Sequence, residues 1–232
     1  MGYKAAMIVA PHPDDAELAM GGTIVKLVRH GWELVVVDLT DGEPTPFGTK
    51  ERREEEARQA SRILGITKRM WLNMPNRHLE ATVENRRKLA EVIRMHRPTV
   101  LFGPLVPDYH PDHTAAAHLI EAARFEAKLH KTDLSGGPHW VPRLYSYYST
   151  HRLLYDPPSL VVDVTGGWDR KMAAIRAYAS QVEYKPAGGS MTLIEGVELV
   201  GRSFGRSIGC KYGEPFISRE PICIRTPDVF QG

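Results

Sequence analysis

The chain has 232 residues, 42% of them apolar and 25% charged, with a formal net charge of +2 at pH 7. Those figures suit one sizeable core, exclude a disordered or fibrous chain, and leave no long basic stripe for a nucleic-acid partner. Only Cys210 and Cys223 are present, too few and too far apart for a disulfide scaffold. The first apolar run is too short for a membrane span or a signal peptide, so a cytoplasmic protein without a membrane partner is expected.

The first half alternates two periods. "KAAMIVA" predicts a strand, "AELAMGGTIVKLVRHG" a helix ending at Gly31, and "WELVVVDLT" a second strand. After the Gly/Pro-rich loop "DGEPTPFG", Thr49 caps a helix over "KERREEEARQASRIL" that stops at Gly65. "KRMWLNM" reads as a strand, "TVENRRKLAEVIRMH" as a helix halted by Pro98, "TVLFGP" as a strand and "HTAAAHLIEAARFEAKL" as a helix. Beyond about residue 130 the pattern loosens. "RLYSYYS" and "SLVVDV" look like strands and "WDRKMAAIRAYASQ" like a helix, while the Gly-rich remainder has no clear period. The expected fold is α/β: a Rossmann-like, doubly wound, mostly parallel sheet of order 3-2-1-4 plus added strands, with helices on both faces. We expect one domain over 1–232, with a regular core over 1–130 and an elaborated C-terminal part over 131–232.

In that order, the loops after strands one and four flank the crevice where ligands bind. The first carries His12, Asp14 and Asp15; the second, "VPDYHPDHT", carries Asp108, His110, Asp112 and His113. A dinucleotide needs a G-x-G-x-x-G turn here, but the turn reads P-H-P-D-D-A and its carboxylates would repel a pyrophosphate. Asp38, near the position of a ribose-binding acid, is better read as a capping or hydrogen-bonding residue.

The clusters suit a metal. A catalytic zinc takes three protein ligands and keeps one position open, and His12, Asp15 and His113 make such a set. Asp14 is then left to act as a base toward the attacking water, His110 to stabilise an oxyanion or protonate a leaving amine, and Asp112 to orient an imidazole. His-Pro-Asp alone is also ordinary turn chemistry; two copies on adjacent loops carry more weight. The remaining histidines, His30, His78, His96, His118, His130, His139 and His151, are read as surface or packing residues.

"PHPDDAE" and "HPDH" after the first and fourth strands resemble the PIG-L/LmbE-like family of zinc-dependent N-acetylglucosaminyl deacetylases. The resemblance extends through "DLTDGE", "RREEEARQASRILGI", "NMPNRHL", "RPTVLFGP" and "AYASQ", and is strongest to the bacillithiol-pathway enzymes acting on N-acetylglucosaminyl malate. It implies Zn2+ on His12, Asp15 and His113, Asp14 as general base, His110 as oxyanion stabiliser or acid with Asp112 as its orienting partner, an amino-sugar substrate, and a homo-oligomer such as a hexamer. Arg53 matches a position suited to gripping substrate, with an ion pair to Glu56 on its own helix as the plainer role; Asn76 and Arg77 lie on the same side of the sheet. The departures fall on substrate contacts. Pro11 stands where the family often has Ala, Trp140 replaces an Arg, with Arg143 three residues later, and a family Tyr is replaced near Leu193. An amidase of a thiol conjugate, an esterase and a non-catalytic metal-binding module are the competing readings.

Overall fold

The computed structural model describes residues 4–150, 156–182 and 191–223. Its regular half is β1 (Ala5–Ala10), α1 (Asp15–Arg29), β2 (Glu33–Thr40), α2 (Lys50–Leu64), β3 (Lys68–Met74), α3 (Val83–His96), β4 (Val100–Pro104) and α4 (Pro111–Ala127). There follow β5 (Leu144–Tyr147), β6 (Leu160–Asp163), a 3-10 turn, α5 (Trp168–Arg176), α6 (Ala179–Val182), α7 (Leu193–Ser207) and β7 (Gly213–Ile217). The seven strands form one sheet of order β3-β2-β1-β4-β5-β7-β6. The core is parallel as expected; β7 enters antiparallel between β5 and β6.

β1 shows why the first apolar run is unbroken. Ala6, Ile8 and Ala10 pack toward α1 and α2, while Met7 and Val9 pack toward α3 and α4. A central parallel strand buries both faces, so neither alternate position can be polar. Each large aliphatic side chain so buried is worth roughly 1.5–3 kcal/mol. α2 is bounded as its caps predict: the Thr49 side chain accepts the Arg52 N–H, and Gly65 closes the helix at φ 84°.

Three stretches differ from expectation. The first helix begins at Asp15 and is broken at Met20 (φ −140°, ψ 24°). The break is capped from the far end of the chain: Glu214 accepts the backbone N–H of Gly22 at 2.9 Å and of Thr23 at 2.7 Å, and the Thr23 hydroxyl at 2.6 Å. Lys171 Nζ completes this buried cluster, 2.7 Å from Glu214. The helix expected over 168–181 is interrupted at Tyr178, whose hydroxyl turns inward to donate to Glu17 at 3.1 Å. The unread Gly-rich remainder contains α7, opened by a Thr192/Glu195 capping box, and then β7. His151 lies outside the described residues. Among those described, no helix is long and apolar enough to cross a membrane.

Glu214→Ala should lower unfolding stability by about 3–5 kcal/mol, because it leaves the Lys171 ammonium buried without its carboxylate. Chemical denaturation measures this, and Lys171→Met in the same background should recover much of the loss.

Candidate active site

Both His/Asp motifs are helix starts at the C-terminal ends of adjacent strands. β1 pairs directly with β4, Ile8 opposite Phe102, so the two turns leave the sheet side by side. His110 is the N-cap of α4, its Nδ1 accepting the Asp112 N–H at 3.2 Å, and Pro111 opens the helix. The first turn closes on itself, Asp15 Oδ2 accepting the His12 N–H at 3.0 Å. Between them Asp14 has φ 119° and ψ −29°, a backbone setting that costs a residue with a Cβ about 1–3 kcal/mol.

The structure brings His12, Asp15 and His113 together, with one donor atom of each within 4.8 Å of the others. Asp15 Oδ2 stands 3.2 Å from His12 Nδ1 and 3.4 Å from His113 Nε2. Two donors around one tetrahedral zinc stand roughly 3.3 Å apart, so this set fits such an ion. His12, His110 and Asp112 form a second group, but the Asp112 oxygens are already engaged. Oδ2 accepts the Arg77 N–H at 2.7 Å and meets His12 Nε2 at 3.0 Å, and Oδ1 accepts the Leu79 N–H at 3.2 Å. The Asp112 carboxylate therefore steadies His12 rather than His110, which it meets through its backbone N–H. The reason is helical geometry: the residue two after an N-cap turns its amide, not its side chain, toward the cap.

Asp108, given no role from the sequence, holds His113 in the same manner. Its Oδ2 lies 3.2 Å from His113 Nδ1 and takes the Ser149 hydroxyl, while Oδ1 accepts the His110 N–H at 2.9 Å. The available signal was a carboxylate on the same loop as a ligand-type histidine, since such imidazoles usually hydrogen-bond a carboxylate through the second nitrogen. The His110 ring sits over the set, 4.9 Å from the His12 ring and 4.8 Å from that of His113 between centroids.

Burial opposes charge on both imidazoles, yet Asp112 and Asp15 lift His12 to about 9, and Asp15 and Asp108 lift His113 to about 10. Asp15, also buried, is driven well below its ordinary value by His113 and His12. Burial raises both carboxylates, but on Asp14 it prevails over the pull of Arg53 and pushes it up to about 7. Two adjacent carboxylates thus have opposite protonation behaviour.

The other expected site residues divide. Arg53 is buried, 3.4 Å from Asp14 Oδ2. Asn76 lies in the turn after β3 with its Oδ1 buried and unbonded. Arg77 supports Asp112 through its backbone, and its side chain donates to the Pro44 carbonyl at 2.6 Å. Leu193 lines a small apolar pocket with Asp14, Leu18, Ile175 and Val182. Arg143 is not brought to the cluster: it precedes β5, parallel to β4 with Leu101 opposite Leu144, and so stands at the opposite end of the sheet. Trp140 lies in the same preceding segment, exposed, with the Arg124 guanidinium 4.6 Å from its ring. Asp38 makes a two-pronged pair with Arg69 at 2.6 and 2.9 Å. None of the other described histidines joins a three-residue metal-ligating group.

A family model described as PIG-L, GlcNAc-PI de-N-acetylase, matches residues 7–124. The chain belongs to the PIG-L family. It is similar to diacetylchitobiose deacetylase of Thermococcus kodakarensis, 34% identical over 77% of this chain and 70% of that one. It is also similar to 4-oxalmesaconate hydratase of Pseudomonas putida, 28% identical over 77% and 74% of the two chains. Among solved structures, a conserved protein of Thermus thermophilus superposes with a TM-score of 0.87 at 40% identity, covering 96% of this chain and 97% of that one. Both histidine motifs of this PIG-L protein fall inside the matched span.

Metal ligation needs neutral imidazoles, so a divalent ion entering the set at pH 7 should release about two protons, one each from His12 and His113. Calorimetry in buffers of different ionisation enthalpy counts them, and affinity should rise with pH until about 9 to 10. The sign for the metal-free fold is opposite: both values are raised above 6.5, so the stabilisation is complete below that pH and lost as pH climbs through 9 to 10. Asp108→Ala should weaken metal affinity by roughly 10- to 100-fold, measured by competition with a chromogenic chelator.

Proposed function

We propose that the chain is a cytoplasmic, homo-oligomeric, zinc-dependent deacetylase that hydrolyses the acetamide of an N-acetylglucosamine-type conjugate, with N-acetylglucosaminyl malate among the candidate substrates. One observation carries the reading: Asp15 is committed to the imidazoles while its neighbour Asp14, outside the ligand set and 3.4 Å from the Arg53 guanidinium, is pushed by burial up to about 7. A module that only binds metal has no use for that second carboxylate. The similarity to a diacetylchitobiose deacetylase supports the substrate class.

His12, Asp15 and His113 would hold the ion, which supplies Lewis-acid polarisation and a water of lowered pKa. Asp14 accepts the proton of the attacking water and passes it to the departing amine, for which a value near neutrality suits both directions. His110, whose Nδ1 accepts the Asp112 amide N–H and whose ring lies 4.9 Å from that of His12 and 4.8 Å from that of His113, stabilises the developing oxyanion or protonates the amine. Asp112 and Asp108 keep the two ligand imidazoles from rotating. The products are acetate and a free amino sugar.

A second reading, a hydratase, is favoured by the similarity to 4-oxalmesaconate hydratase, since the same base and ion would also serve to activate water for addition to an alkene. Acetate release from N-acetylglucosaminyl malate, diacetylchitobiose and N-acetylated thiol conjugates, run beside 4-oxalmesaconate hydration, separates the readings. Asp14→Asn should keep the metal at wild-type stoichiometry and cut kcat by about 100- to 10,000-fold; wild-type turnover in that variant removes Asp14 from the chemistry.

A further inference from the structure

Asp108 and Asp112 each steady one ligand imidazole, but they are anchored differently. Asp112 is tied to the turn after β3 by the amides of Arg77 and Leu79. Asp108 is bonded mostly to its own neighbours: Oδ1 accepts the His110 N–H at 2.9 Å, the main-chain carbonyl accepts the Thr114 hydroxyl at 3.1 Å, and Oδ2 meets His113 Nδ1 at 3.2 Å. Those bonds alone would let the loop and the first turn of α4 shift together as one body. Among the described residues, the side-chain tie that leads out of this loop is the Ser149 hydroxyl, which donates to Asp108 Oδ2 from 41 residues further along the chain. Ser149 is a fixed post. It is 4% exposed and follows β5, whose last residue, Tyr147, stands opposite Pro104 of β4. Tyr147 accepts the Leu105 N–H at 2.9 Å and donates its hydroxyl to the Val9 carbonyl at 3.0 Å, so this strand end is held to both β4 and β1.

A serine hydroxyl has one hydrogen to give, and an ionised carboxylate has none to return. Ser149 therefore donates to Asp108 Oδ2, and the same oxygen receives the N–H of His113 Nδ1. The second ring nitrogen, Nε2, is left on the ligand side, 3.4 Å from Asp15 Oδ2. With the carboxylate held from β5, the imidazole has one plane in which both of these contacts are kept. We propose that Ser149 is a positioning residue for the metal centre: acting through Asp108, it fixes the plane of the His113 ring and keeps Nε2 turned toward the ion. The end of β5 thereby joins those of β1, β3 and β4 in shaping the site. This rests on the zinc reading for its effect on affinity, but not for its effect on the ring.

Ser149→Ala should weaken Zn2+ affinity by about 3- to 10-fold, a step below the 10- to 100-fold expected for a group bonded directly to a ligand, as read by competition with a chromogenic chelator. Made in an Asp108→Ala background, the same change should have no further effect, because its route to the ion is gone; a loss that simply adds to that of Asp108→Ala marks a packing role and overturns the proposal. Ser149→Thr and Ser149→Val decide the matter if either alanine variant does not fold. The two side chains share a shape and differ in the hydroxyl, so threonine should bind Zn2+ about 3- to 10-fold more tightly than valine, and equal affinities refute the brace. If the wild type takes up no Zn2+, the metal reading has failed instead, and crystal structures of wild type and Ser149→Ala still give the answer. The His113 ring should have turned away from Asp108 in the variant, and an unchanged ring refutes the proposal.

Discussion

The hydrogen bond between His12 Nε2 and Asp112 Oδ2, 3.0 Å long and spanning 100 residues of sequence, ties the site together. Pairing of β1 with β4 brings the two turns within reach, but strand pairing leaves side-chain rotation free. The carboxylate removes that freedom from His12, and because it also takes the amides of Arg77 and Leu79, it ties in the turn after β3. A hydrogen bond to a charged group in a buried setting contributes about 1.5–3 kcal/mol. Three loops, each following a parallel strand, are thereby fixed to one another by a single side chain, and the ligand set inherits their rigidity.

Beneath that set lies a second layer of charge. Arg69 is shared between Asp38 and Glu17, with Glu17 Oε1 at 2.6 Å and also accepting the Tyr178 hydroxyl. A buried cation with two carboxylates is not a device for stability, since the desolvation of three ions offsets most of their attraction. Its effect is geometrical. Glu17 stands one turn into α1, so the pair docks the start of that helix, and hence Asp14 and Asp15, against β2 and β3.

The parallel core and both metal-type motifs were legible because they are local patterns: periods of two and 3.6, caps at Thr49 and Gly65, and His/Asp pairs on turns that a 3-2-1-4 order must bring together. What stayed hidden depends on contacts between distant segments. The Asp112 carboxylate meets His12 because of how α4 starts, which spacing alone does not reveal. The break in α1 at Met20 has its cause at Glu214, near the other end of the chain. Arg143 looked like a substitute for a missing arginine by sequence distance, yet it and Trp140 both precede β5 and so stand at the end of the sheet away from the site. α7 did leave a local signal, the Thr192-x-x-Glu195 capping box, obscured by the glycines around it.

The Glu214 cap has a bearing on the order in which the protein is made. The helix that begins with Asp15 emerges during synthesis well before the carboxylate, 192 residues beyond Gly22, that satisfies the amides of Gly22 and Thr23 and neutralises Lys171. While the ribosome is still adding β7, the nascent α1 has an uncapped interior break and its neighbour an uncompensated ammonium. The segment that carries the His/Asp motifs therefore cannot complete its first helix until β7 has been made, and in that interval its buried polar groups lack the partner that the finished fold supplies.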